Sequence, residues 1–289
     1  MGNITKDKTD REKLIEKSIQ NLKKWSTQST PPEYNPPICT IYNPSFHRDP
    51  LWKKCQDELE LNDSQQWQHN HILYALRKTN LIRPDAVGLS IACGHEKMLY
   101  YLTHHIGMVH GCDIYDGQSG FQDEDMQNDP DKFAPFEYCR EKLKISQGDV
   151  TRSLPYDDST FDFAWSVSAI EHFGSDASKK AAVKNISRVL KPGGMGIFST
   201  EFIISHEKYR GQLILHKMTF DKQYFTHRDI LDLIASDDSI ELVEDIQFDA
   251  YKEEDFFRER PPVKYYSSWP VSVHGFMYCA IVVAFRKKP

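Results

Sequence analysis

The stretch VGLSIACGHEKMLYYL, residues 87–102, sets the reading of the whole chain. Val87 to Cys93 form an apolar run of strand character, and the run stops at a single glycine, Gly94. His95 and Glu96 follow, and the segment from Glu96 has the composition and spacing of a helix. A strand that breaks through a tight turn into a helix N-terminus is where an α/β protein places a ligand.

Outward from this turn, strand-like and helix-like segments alternate. MVHGCDIY, KLKISQGD, FDFAWSVSA, MGIFSTEF, IELVEDIQF and FMYCAIVVAFRKK read as six further strands, making seven. EKMLYYLTHH, DASKKAAVKNISRVL and HRDILDLIAS read as helices between them, and KPGG as a sharp turn. Alternation at this spacing implies βαβ units, hence a mostly parallel sheet with helices on both faces, a Rossmann-like α/β fold.

Residues 1–64 look different. REKLIEKSIQNLKKW places Leu14, Ile15, Ile19, Leu22 and Trp25 at helical intervals, and the proline-rich STPPEYNPPICTIYNP has to be extended. We expect an N-terminal helical, proline-linked arm over 1–64 and one domain over 65–289, with insertions at about 201–223 and 249–275. In SQQWQHNHILYALRKTNL, Ser64 is placed to cap a helix.

The ligand class follows from what the turn lacks. A dinucleotide site needs G-x-G-x-x-G, so that backbone amides reach a pyrophosphate at the helix N-terminus. Gly94 stands alone here, and Glu96 puts a carboxylate where phosphates would sit. Phosphate is disfavoured. Carboxylates recur instead at the ends of the next strands, Asp113 and Asp149. An acid about twenty residues beyond the turn can take both hydroxyls of a ribose, although a lone Asp at a strand end also serves as a turn former or cap.

LSIACGHE, VHGCDIYDG, GDVTRSLPYDDSTFDFAWSVSAIEHF and RVLKPGGMGIFST, in order over roughly residues 87–200, resemble successive motifs of class I S-adenosylmethionine-dependent methyltransferases. The helix around Trp67 also resembles that of a bacterial, glycan-associated group of this family. The resemblance implies that Ala92, Cys93 and Gly94 pass under the methionine part of the cofactor. It implies that Asp113 holds the ribose, with Ile114 against adenine, and that Asp149 meets the adenine amine beside the Val150 amide. Ser166 and Val167 would lie near the sulfonium. The family usually has an acid where Ser90 stands and glycines where Ala92 and Glu96 stand; Glu96 is then expected to meet the ammonium of the methionine moiety.

Methyl transfer to a hydroxyl requires a base within hydrogen-bond reach. His172 in SAIEHF is the first candidate, with Glu171 beside it, although such a pair can equally stabilise a loop; Glu201 faces the same rim. His206, His216, His227 and His274 fall in or beside the insertions. Phe256, Phe257, Tyr265, Tyr266 and Trp269, interrupted by prolines, suit a lid over an acceptor or a homodimer contact. The expected activity is O-methylation of a small molecule or glycan. N- or C-methylation of a secondary metabolite and a non-catalytic, methyltransferase-like binding protein are the alternatives.

The bulk composition is compatible. Apolar residues at 39% allow a sizeable core, and a net charge of −6 without a long basic block argues against a nucleic-acid partner. The six cysteines show no C-x-x-C spacing, so neither zinc nor a disulfide framework is expected. No apolar stretch approaches a membrane span, and the chain reads as cytoplasmic.

Overall fold

The computed structural model describes residues 35–61, 65–117, 123–203, 224–248, 271–273 and 276–289. Strands β1 (Thr40–Ile41), β2 (Val87–Ile91), β3 (Met108–Asp113), β4 (Leu143–Gln147), β5 (Phe161–Val167), β6 (Leu190–Ile203), β7 (Ile240–Leu242), β8 (Val271–Val273) and β9 (Phe276–Lys287) form one sheet. The main path runs β4-β3-β2-β5-β6-β9, parallel from β4 to β6 and antiparallel between β6 and β9. β1, β7 and β8 all line the far edge of β9. The seven expected strands are β2–β7 and β9. Two short strands, β1 and β8, bring the sheet to nine, and neither is long enough to show a two-residue alternation in sequence.

The helices are α1 (Pro50–Leu59), α2 (Gln66–Lys78), α3 (Lys97–Leu102), α4 (Asp125–Asn128), α5 (Asp176–Val189) and α6 (His227–Ile234). Every residue of β5 is buried, which explains why FDFAWSV reads as continuous rather than alternating. α5 starts on Ser175, whose hydroxyl accepts from the Ser178 amide, and α6 on a reciprocal Thr226–Asp229 capping box. KPGG is not a turn ahead of β6 but a bulge within it: Leu190 pairs with Phe161, and Met195 with Phe163. At the opposite end of the strands from the turn at Gly94, Asp162 accepts from the Val87 amide, Arg83 and Lys191, tying the starts of β2, β5 and β6 together. Burial pushes its carboxyl up, but these donors hold it below the usual range.

From residue 35 onward the expected arm is built into the same core. Thr40 and Ile41 pair with Val282 and Ile281, and Cys39, Ile41, Phe46, Trp52 and Cys55 are buried. Residues 38–59 thus pack into the same core as the sheet. The junction between α1 and α2 is aromatic: Trp67 stacks on His71 with centroids 4.8 Å apart, and Trp52 Nε1 donates to His71 Nδ1 at 3.2 Å. His71 Nε2 donates to the Ile38 carbonyl at 3.0 Å, and burial depresses its pKa to about 3, so it is neutral. Ser64 and the helix expected near the N-terminus lie outside the described residues. No described helix is long and apolar enough to cross a membrane.

Candidate functional site

The carboxyl ends of β2 to β6 open into a cavity of about 940 Å³, within the range of small-ligand sites. Its floor is the turn after β2. The Ala92 amide donates to the Cys112 carbonyl at 2.8 Å, and Tyr115 reaches up from beneath to donate to the Gly94 carbonyl at 3.0 Å. A Cβ on Gly111 would come within 2.9 Å of Cys93 Sγ, so this glycine lets β3 run directly under the turn. Ala92, Tyr115 and Ser168 have φ of 52°, 41° and 49°. Three strand tips around the cavity thus hold non-glycine residues in the left-handed region, the kind of local strain that gathers at functional sites.

The acids are held in distinct ways. Asp113 is almost wholly buried, and its two oxygens accept from the Gly94 amide at 2.8 Å and the Ile114 amide at 2.7 Å. Burial raises its pKa, opposed by those two amides. Glu96 Oε1 accepts from Ser90 Oγ and Trp165 Nε1, both at 2.6 Å, while its Oε2 lies 3.1 Å from His69 Nε2. Asp149 is an Asx turn: one oxygen accepts from the amide and hydroxyl of Thr151, and the other pairs with Arg152.

At the other end, Glu201 lies on the last turn of β6 and lines the cavity. Its carboxylate makes no hydrogen bond or ion pair among the described residues; burial and the nearby Glu171 raise its pKa to about 8. Tyr224 and Tyr278, with ring centres 4.7 Å apart, stand on the same side. His172 lies on the rim and is exposed.

Ala92, Cys93, Gly94, Glu96, Asp113, Ile114, Asp149, Val150, Val167, His172 and Glu201, all singled out in the sequence, line this cavity. Two others do not. Glu171 sits behind the wall at 2% exposure and accepts from Ser168 Oγ (2.9 Å) and Thr200 Oγ1 (2.8 Å); burial raises its pKa. Its place in the short 3-10 turn Ile170–His172 turns it into the core, away from an acceptor. Ser166 is likewise buried behind the wall, its hydroxyl without a partner among the described residues. Gln65, His69, Ser168, Ala169 and Phe173 also line the cavity, and sequence reasoning missed them. One signal was present: Gln68, His69, Asn70 and His71 are four consecutive polar residues of one helix, and all four are buried. His227 instead packs edge-on against Phe248. His206, His216, His274 and the aromatic cluster of the second insertion fall outside the described residues.

Residues 89–198, which carry the turn, Asp113, Asp149 and the β5 tip, match the family model described as a methyltransferase domain. This segment is a methyltransferase domain. Its cofactor is S-adenosylmethionine. No curated protein matches the chain in sequence. Among solved structures, a Galdieria sulphuraria protein whose name assigns it to sarcosine and dimethylglycine methylation shares 13% identity, with a TM-score of 0.50 over 94% of this chain and 98% of that one. A SAM-dependent methyltransferase of Methanosarcina mazei shares 19% identity and a TM-score of 0.49 over 73% of this chain and 97% of that chain. The YcgJ protein of Bacillus subtilis shares 18%, with a TM-score of 0.48 over 76% and 100%. At these identities the likeness is one of fold.

The cavity of the methyltransferase fits its cofactor by charge and by donor set. Glu96, Asp113, Asp149 and Glu201 line it against one lysine, Lys97, whose ammonium points to the Glu60 carbonyl and the Phe136 ring. Such a lining suits a ligand with a sulfonium, an ammonium and a ribose diol, and opposes phosphate.

Proposed function

We propose that this methyltransferase acts on a hydroxyl of a small molecule or glycan, with Glu201 as the base. The observation that carries this reading is the Glu201 carboxylate at the tip of β6, inside the cavity and without a hydrogen-bond partner among the described residues. A half-buried carboxylate without a donor is disfavoured until a ligand supplies one. With a pKa near 8 it is basic enough to take a proton from an acceptor near neutral pH. His172, exposed on the rim, is better placed to orient the acceptor.

The cofactor contacts belong to the same proposal. Ala92, Cys93 and Gly94 form the floor under the methionine end, with Glu96 toward its ammonium. Asp113 keeps lone pairs on both oxygens for the ribose diol. Ile114, Asp149 and Val150 border adenine, and Val167, with Ser166 behind it, backs the sulfonium. Bound S-adenosylmethionine supplies an electrophilic methyl group. The chain's own task is to align the acceptor in line with it, exclude water and accept one proton on Glu201. We read 65–289 as the catalytic unit, with the insertions at about 201–223 and 249–275 selecting the acceptor; Leu61 and Gln65 in the cavity wall bring the preceding segment into the site.

The same carboxylate could relieve an ammonium of its proton, so N-methylation is the second reading. Incubating the protein with S-adenosylmethionine and separate panels of sugars, phenols and amines, with methylated product read by mass spectrometry, decides between them. Products confined to hydroxyls, and lost in Glu201→Gln, are expected. Products confined to amines would replace this reading with the second.

A further inference from the structure

Glu96 is held more firmly than any other carboxylate of the cavity, and the holders come from three separate elements. Ser90 on β2 and Trp165 on β5, at 0% and 1% exposure, both donate to Oε1. Two donors at 2.6 Å saturate that oxygen. The other oxygen, Oε2, meets His69 Nε2 at 3.1 Å, while Nδ1 lies 3.2 Å from the Gln65 carbonyl; because a carboxylate only accepts, we assign a proton to Nε2. His69 is on α2, outside residues 89–198, and only 3% exposed, yet both it and Glu96 line the cavity.

The three donors leave one accepting direction of the carboxylate open, on Oε2. Over-determination of this kind is what preorganises a group for a ligand. Lys97, the neighbouring cation, is engaged elsewhere.

We propose that His69 is a positioning residue of the cofactor site, aiming the Glu96 carboxylate at the ammonium of the methionine end. This rests on the reading of the cavity as the cofactor site. A strand, a second strand and a helix that precedes residues 89–198 then cooperate to place one anion, and the helix makes cofactor affinity depend on residues outside that match.

The test compares two ligands by calorimetric titration. S-adenosylhomocysteine carries the amino-acid end, whereas 5′-methylthioadenosine lacks it. His69→Leu is expected to weaken S-adenosylhomocysteine about tenfold, the effect of losing a hydrogen bond to a charged group, and to leave methylthioadenosine unchanged. His69→Gln, which keeps a donor at similar reach, should stay within about threefold of the wild type. Glu96→Gln should show the same split, and thermal melting checks that each variant is folded. Equal weakening of both ligands, or no change for S-adenosylhomocysteine, would overturn the role of His69 alone. Failure of the wild-type protein to bind S-adenosylhomocysteine would overturn the cofactor-site reading as well.

Discussion

The two ends of the cavity treat charge in opposite ways. Along β2 to β4 every acid already has protein donors: three for Glu96, two backbone amides for Asp113, and Thr151 with Arg152 for Asp149. At the tips of β5 and β6, Glu171 is satisfied but withdrawn behind the wall, and Glu201 stands in the cavity with no partner among the described residues. One end is set before any ligand arrives. The other leaves a carboxyl group that a ligand can engage.

The largest effect should come from the incomplete end. Glu201→Gln should lower the methyl-transfer rate by a factor on the order of 100 or more while leaving S-adenosylhomocysteine affinity unchanged in calorimetry. The wild-type rate should climb as pH rises through about 8, because the carboxyl must lose its proton to act as base, and the variant's profile should flatten. A variant that keeps its rate while His172→Gln loses it would reverse the comparison and make His172 the base.

The preset end predicts a binding effect instead. Asp113→Ala removes the acceptor of the Gly94 and Ile114 amides along with the group proposed to hold the ribose. A loss of about 100-fold in S-adenosylhomocysteine affinity is expected, corresponding to two or more charge-assisted hydrogen bonds. Unaltered affinity would show that the donors on Asp113 serve the turn alone.

Helix α2, which carries His69, is anchored by neutral His71, and this gives a stability test. The folded-state pKa of His71 is depressed to about 3 against an ordinary value near 6.5. Protonation therefore favours the unfolded chain, and stability present above pH 6.5 should decline as pH falls toward 3, by up to about 1.4 kcal/mol per pH unit for such a group. His110, depressed to about 4 by burial and Lys144, adds in the same direction. Urea unfolding at pH 7 and pH 5 measures it; equal stability at the two would show that His71 is protonated in the fold.

The smallest effect concerns strain. Ala92→Gly relieves a positive φ at the floor of the site, so a gain of no more than about 1 kcal/mol in thermal melting is expected. A marked loss would mean that the Ala92 methyl is packing the floor.

Much of this was legible from composition along the chain. β5 and the turn at Gly94 were visible because strands buried on both faces read as unbroken apolar runs and because glycine marks the break. β1 was not, since two residues between prolines have no period, and their partners Val282 and Ile281 lie some 240 positions away. Of the paired residues Glu171 and His172, sequence could not say which would face the cavity, because a short 3-10 turn decides it. His69 was missed because helical reading treats polar residues as a solvent face, whereas here four in a row are buried.

The sequence by itself determined the alternating α/β architecture, the place of the ligand turn and the acids at the strand tips. These depend on side-chain period and turn chemistry, which are local. Only the tertiary structure decided which of those acids is saturated, which is withdrawn and which has no partner among the described residues. A hydrogen-bond partner is set by distance in space, and the burial that makes Glu201 basic or brings His69 to Glu96 exists only once the helices close over the sheet.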